Sequence, residues 1–185
     1  MVTVPRIATV SCLSTTPFIH GIRYEGNFRA ELLLSPDSDS VIQDFLSRKA
    51  DIALVPALAV QLLADARMVT EYCVGGGPSC REGLLSSSDP LVEGWKDYGE
   101  LPFAFAVWVA RKGTPYEVTD ALEEALTFGV ERIYEAVQQS DYRDRPYAYD
   151  YLTRNIDFLF DNEKRKALQK FWTSGVKVTP LVEPG

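Results

Sequence analysis

Between Arg6 and Leu63, short apolar runs alternate with polar clusters and helix-spaced apolar residues, and this alternation restricts the chain to an α/β architecture. Arg6-Ile7-Ala8-Thr9-Val10 reads as a buried strand that stops at Ser11-Cys12-Leu13-Ser14-Thr15-Thr16-Pro17. Thr16 suits an N-cap with Pro17 at the first helical position, and the short helix is expected to end at Gly21. A second strand over 30–34 precedes the loop-like Ser35-Pro36-Asp37-Ser38-Asp39-Ser40 and a helix carrying Val41, Ile42, Phe45 and Leu46. The next strand, 50–55, closes at Pro56, which is placed to open a helix bearing Leu58, Leu62 and Leu63. Weaker strand candidates, 68–74 and 83–87, flank Gly75-Gly76-Gly77-Pro78, a turn or bulge by composition. Phe103-Ala104-Phe105-Ala106-Val107-Trp108-Val109 is apolar on both faces, as a central strand should be. Helical spacing follows in Ala121, Ala125, Val130, Ile133, Tyr134 and Val137, then in 147–155 and 163–172. The expected fold is a single three-layer α/β/α unit with a mainly parallel sheet and an all-helical C-terminal part.

At 185 residues the chain is long enough for one well-buried core, and its net charge of -7 leaves no basic surplus for phosphates. Nucleic acid is not expected as a partner. Neither 52–63 nor 103–110 approaches the roughly 20 apolar residues of a membrane span, so no membrane association is expected. Met1-Val2-Thr3-Val4-Pro5-Arg6 runs straight into a strand without a signal-peptide core, which points to the cytoplasm. Cys12, Cys73 and Cys80 are odd in number and contain no CxxC pair, arguing against a disulfide framework or a metal site.

Ser11, Ser14, Thr15 and Thr16 stand between a strand and a helix start, where unpaired N–H groups and the helix dipole favour an anion such as a carboxylate. The same groups also suffice for a cap and turn with no ligand. Ser38, Asp39 and Ser40 occupy an equivalent position, as do Pro56 and Ala57. Open α/β sheets bind ligands at such strand ends. His20, the only histidine, is either a general base or a plain, partly buried histidine. Glu117, Asp120, Glu123 and Glu124 open a helix and are assigned to solvent. Trp95, Trp108 and Trp172 read as core or interface aromatics. No serine has the partners of a hydrolase triad, and the glycine run lacks the ending of a phosphate loop.

Three segments together resemble the chorismate dehydratases of the futalosine route to menaquinone: Ser11-Cys12-Leu13-Ser14-Thr15-Thr16-Pro17-Phe18, Ala50-Asp51-Ile52-Ala53-Leu54-Val55-Pro56 and Gly99-Glu100-Leu101-Pro102-Phe103-Ala104-Phe105-Ala106-Val107-Trp108-Val109. Asp89-Pro90-Leu91 and Tyr151-Leu152-Thr153-Arg154-Asn155-Ile156-Asp157 add to the resemblance. It implies a lobe of a type 2 periplasmic-binding-protein-like fold. The implied activity is that of a cofactor-free lyase that takes water from chorismate, a small dianionic carboxylate, to leave an enolpyruvyl-benzoate.

The family's usual Ser-Tyr-Leu-Asn-Thr pattern is replaced here by Ser11-Cys12-Leu13-Ser14-Thr15, so Ser14 stands at the asparagine implicated in its chemistry. A hydroxyl lacks the reach and paired donors of a carboxamide. The family also places a second lobe between the stretches that resemble 1–88 and 92–185 of this chain, and here those stretches adjoin. On this reading the chain is an isolated first lobe, natural or dissected. Its substrate-binding set is Ser11, Thr15, Thr16, Pro56 and Ala57, with Ser14 at the catalytic position. Its turnover is expected to be slow or absent. The alternatives are a non-catalytic lobe with weak carboxylate binding, and a homodimer through the exposed cleft face.

Overall fold

The computed structural model describes residues 4–76 and 103–173. Among them the strands β1 (Arg6–Val10), β2 (Glu31–Ser35), β3 (Ile52–Pro56), β4 (Ala66–Gly76), β5 (Phe103–Arg111) and β6 (Asp157–Leu159) form one sheet in the order β2-β1-β3-β5-β4-β6. Pairing is parallel from β2 through β1 to β3, and antiparallel from β3 through β5 and β4 to β6. The sheet is therefore mixed rather than mainly parallel. The antiparallel half arises because Gly76 and Phe103 are paired, so the chain leaves β4 and re-enters β5 at the same end of the sheet. That end also carries the carboxyl termini of β1 and β3, since Pro56 faces Ala106 near the start of β5.

Alternation along the inner strands separates two cores. Ile7, Ile52, Leu54, Trp108 and Ala110 point to one face, where they meet α1 (Thr16–Tyr24), α3 (Tyr116–Val130), α4 (Ile133–Gln138) and α5 (Arg145–Arg154). Ala8, Ala53, Val55, Val107 and Val109 point to the other, against α2 (Ser38–Leu46) and α6 (Asn162–Thr173). Because side chains alternate strictly across a pleated strand, one sheet serves both layers, and the fold is the three-layer α/β/α unit expected. Trp108 is fully buried in the first core, edge-on to Phe18 at 5.6 Å between ring centroids.

Several boundaries differ from those read in the sequence. α2 begins at Ser38 because Asp37 caps it, its carboxylate accepting the Ser40 N–H at 2.7 Å. α1 runs past Gly21 to Tyr24. Gly21 stays inside the helix because α1 crosses α3 there at a distance that leaves no room for a Cβ: one on Gly21 would lie 1.9 Å from the Ala125 carbonyl oxygen, and one on Gly129 1.9 Å from that of Pro17. Pro56 ends β3, and 57–62 form a 3-10 rather than an α-helix. The helical face expected from Ala121 to Val137 is broken at Glu131 and Arg132 into α3 and α4, leaving Tyr134 exposed. β6 interrupts the tail that was expected to be all helical. The expected strand at 83–87, Gly77-Pro78, Cys80 and Trp95 lie outside the described residues. No described helix is long and apolar enough to cross a membrane.

Candidate active site at the carboxyl end of the first strand

β1 hands the chain to a single turn of 3-10 helix, Leu13–Thr15, and then to α1. Thr15 holds this corner together. Its hydroxyl donates to the Val10 carbonyl at 2.7 Å, lies 3.0 Å from the Cys12 carbonyl oxygen and accepts the Cys12 N–H at 3.2 Å. It is buried and its hydrogen-bonding capacity is spent on backbone. Thr16 also donates to the Cys12 carbonyl, at 3.2 Å. Ser14 Oγ lies 3.1 Å from Cys12 Sγ. Ser11 keeps its N–H in the ladder, bonded to the Ser35 carbonyl at 2.9 Å, and exposes its hydroxyl.

The three helix starts noted in the sequence are not equivalent. That of α2 is occupied by its own Asp37 carboxylate, which the Ser40 N–H bond holds below its ordinary pKa and which repels a second anion. The one after Pro56 is the short 3-10 helix, with Ala57 buried in the core. The α1 start has no acidic residue in its first turn and no side-chain cap bond. It opens onto a cleft of about 280 Å³.

α1 forms one wall of this cleft. Thr16, His20 and Arg23 line it at helical spacing, below Ser11 and Cys12. The segment after α4 forms the other, through Gln139, Ser140, Asp141 and Tyr142. Ser140 Oγ donates to the Val137 carbonyl at 2.6 Å and accepts the Tyr142 N–H at 3.4 Å, which shapes the turn. Tyr142 comes across from this wall to the neighbourhood of the Thr16 side chain, and burial raises its pKa. Ser14, Thr15, Pro56 and Ala57 are not part of this lining. Of the residues singled out in the sequence as binding an anion, Ser11 and Thr16 are therefore brought together in the cleft.

His20 is 6% exposed, stacked on Phe128 at 6.1 Å and beside Tyr24 at 4.9 Å. Its Nε2 has no hydrogen-bond partner among the described residues. Burial lowers its pKa and Arg132 adds to that effect against the opposing pull of Glu135, so the ring is neutral at pH 7. The wall containing Tyr142 had no signature in the sequence. The available signal was on α1, where positions 16, 20 and 23 recur at helical spacing.

A family model for menaquinone biosynthesis matches residues 81–177, just over half of the chain. The chain belongs to the menaquinone biosynthesis family. No curated protein matches the sequence. Protein AF1704 from Archaeoglobus fulgidus is similar at 14% identity over 91% of this chain and 95% of its own, with a TM-score of 0.69. An ABC transporter structure from Parabacteroides distasonis is similar at 12% identity over 93% and 91%, with a TM-score of 0.62. The CA3427 gene product of Candida albicans, described as having the generic periplasmic binding protein fold, is similar at 11% identity over 97% and 94%, with a TM-score of 0.58. At these identities the likeness concerns fold alone, and it places this family member among periplasmic-binding-protein-like α/β proteins.

Proposed function

We propose that this member of the menaquinone biosynthesis family is a carboxylate-binding lobe that takes a chorismate-like dianion at the carboxyl end of β1 and dehydrates it slowly or not at all. The observation that carries the reading is the cleft of about 280 Å³ at the carboxyl end of β1, where the exposed Ser11 and the side chain of Tyr142 stand beside the start of α1. Dehydration of chorismate removes a ring proton and then hydroxide, giving an enolpyruvyl-benzoate and water. Accelerating it requires donors that tighten on the transition state. Ser14, at the position where the resemblance calls for asparagine, lies against Cys12 Sγ and does not line the cleft. Binding without efficient turnover follows.

Titration with chorismate, followed by backbone amide resonances, tests the reading. Shifts centred on 11–16 are expected. Shifts confined to 145–173, or none at millimolar ligand, would refute it.

A further inference from the structure

β2 is the outermost strand on its side of the sheet, and its outer edge is unpaired among the described residues. The Glu31 N–H bonds to the Pro5 carbonyl and the Ser35 carbonyl accepts the Ser11 N–H, each at 2.9 Å, so residues 31, 33 and 35 turn their backbone groups towards β1. In an extended strand the residues between them face the opposite way. Leu32 and Leu34 therefore present two N–H donors and two carbonyl acceptors to the open edge. Such edges are ordinarily blunted by lysine, proline or a bulge. β2 has none of these over Glu31-Leu32-Leu33-Leu34-Ser35, keeps an unbroken register with β1, and leaves Leu34 40% exposed.

We propose that this edge pairs antiparallel with the same edge of a second copy of the chain, about a two-fold axis at Leu33. Leu32 then stands opposite Leu34 of the second copy and exchanges both hydrogen bonds with it, and the two-fold repeats the exchange, so that every outward group of the four leucines is paired. Pro36, with no N–H, ends the ladder just beyond. Leucine meets leucine on both faces of the joined sheet, Leu32 against Leu34 on the α1 side and Leu33 against its own image on the α2 side. Two residues outside the strand, the exposed Arg29, which has no ion pair among the described residues, falls opposite the exposed Asp37 of the second copy, twice per dimer. Slipped one way, Leu32 would meet Pro36 and Glu31 would meet Asp37; slipped the other way, Arg29 would lose Asp37. The edge is thus complementary to itself in one register. Because Leu34 also lines the cleft, Leu32 of the second copy borders it, although the pairing does not depend on what the cleft binds.

The test is sedimentation equilibrium of the whole chain in its natural sequence, in Arg29→Glu, Asp37→Arg and Leu34→Lys, and in an equimolar mixture of the first two variants. A single strand pair makes a small interface, so the natural chain is expected to pass from monomer to dimer, and no further, by about 0.5 mM. Arg29→Glu alone and Asp37→Arg alone each set two like-charge contacts across the join and should weaken the dimer about tenfold or more. In their mixture every such contact is again between opposite charges, and mixed dimers should return to within about threefold of the natural affinity. Leu34→Lys puts a charge on the open edge and should weaken the dimer about tenfold or more. Asp37 also caps α2, so circular dichroism checks that its variant is folded; if it is not, Arg29→Glu and Leu34→Lys decide. A natural chain that stays monomeric, a dimer unmoved by Arg29→Glu or Leu34→Lys, growth beyond the dimer, or a mixture of folded variants no stronger than either alone overturns the pairing.

Discussion

Replacing Gly129 by alanine sets two effects of opposite sign against each other. Inside an exposed helix the change would stabilise the chain by about 1 kcal/mol, because glycine is the poorer helix former. Here the new Cβ would sit 1.9 Å from the Pro17 carbonyl oxygen, against an ordinary contact of 3.4 Å, so α1 and α3 must part by about 1.5 Å. The obstructing atom is helix backbone, which no rotamer change can move aside. Overpacking of this kind costs about 3 kcal/mol at the upper end of the usual range, which leaves a net loss of about 2 kcal/mol after the propensity gain. For a chain of this length that lowers the unfolding temperature by about 4–8 °C. Urea unfolding gives the sign directly, and an unchanged m-value would show that only stability has moved. Gly21→Ala should behave alike against Ala125, and the double variant should lose less than the sum because both relieve the same crossing. A midpoint that rises in either variant would refute the close crossing that holds Thr16, His20 and Arg23 on the cleft wall.

Three further outcomes follow from buried polar groups. His20 has its pKa lowered by burial, so below about pH 6.5 the unfolded chain takes up a proton that the folded chain declines. Stability measured by urea midpoint should fall more steeply from pH 7.5 to 5.5 in the natural chain than in His20→Gln, and equal slopes would contradict the assignment. Burial pushes the Cys73 thiol up to about 12, whereas Cys12 is half-buried at the cleft. Iodoacetamide at pH 8 should therefore modify Cys12 and leave Cys73 intact until the chain unfolds, as peptide mass mapping would show. Lys164 is fully buried, with Nζ 2.7 Å from Asp157 and 3.4 Å from Asp161, whose carboxylates are partly solvated. Asp157→Ala should cost about 2 kcal/mol and Lys164→Met about 1 kcal/mol or less, since only the first takes the nearer partner from a buried ammonium and leaves it to the longer contact with Asp161; the reverse order of urea midpoints would refute this.

What could be read in advance divides along physical lines. β1 is visible because a short apolar run ends in a hydroxyl cluster, and α5 and α6 because their apolar spacing is helical. The polar Ser38-Asp39-Ser40 looks like loop until Asp37 is seen to cap it, which moves the start of α2. β6 has three residues, too few for alternation to register, and it exists only because β4 offers an edge. The direction of β5 is likewise absent from its pattern, since a strand buried on both faces reads the same in either sense. Glu123, assigned to solvent with its neighbours, instead accepts the Glu71 N–H at 2.9 Å and is partly buried. In the site, Ser11 and Thr16 are legible as a strand end meeting a helix start. Tyr142 is not, because it arrives from more than a hundred residues away through a turn set by Ser140. Local pattern carries what one segment does alone, and the second wall of the cleft is a product of packing.

The most direct test of a lobe that binds but scarcely dehydrates is incubation of the natural chain and of Ser14→Asn with chorismate, with the enolpyruvyl-benzoate followed by mass beside a two-lobed member of the family. Loss of one preorganised donor commonly costs about 10²- to 10³-fold in rate. The natural chain is therefore expected to make product at no more than about a hundredth of the two-lobed enzyme's rate. On the one-lobe reading proposed above, Ser14→Asn should recover at most part of the difference, because it returns the carboxamide alone. Turnover by the natural chain at a rate near that of the two-lobed enzyme would contradict the account.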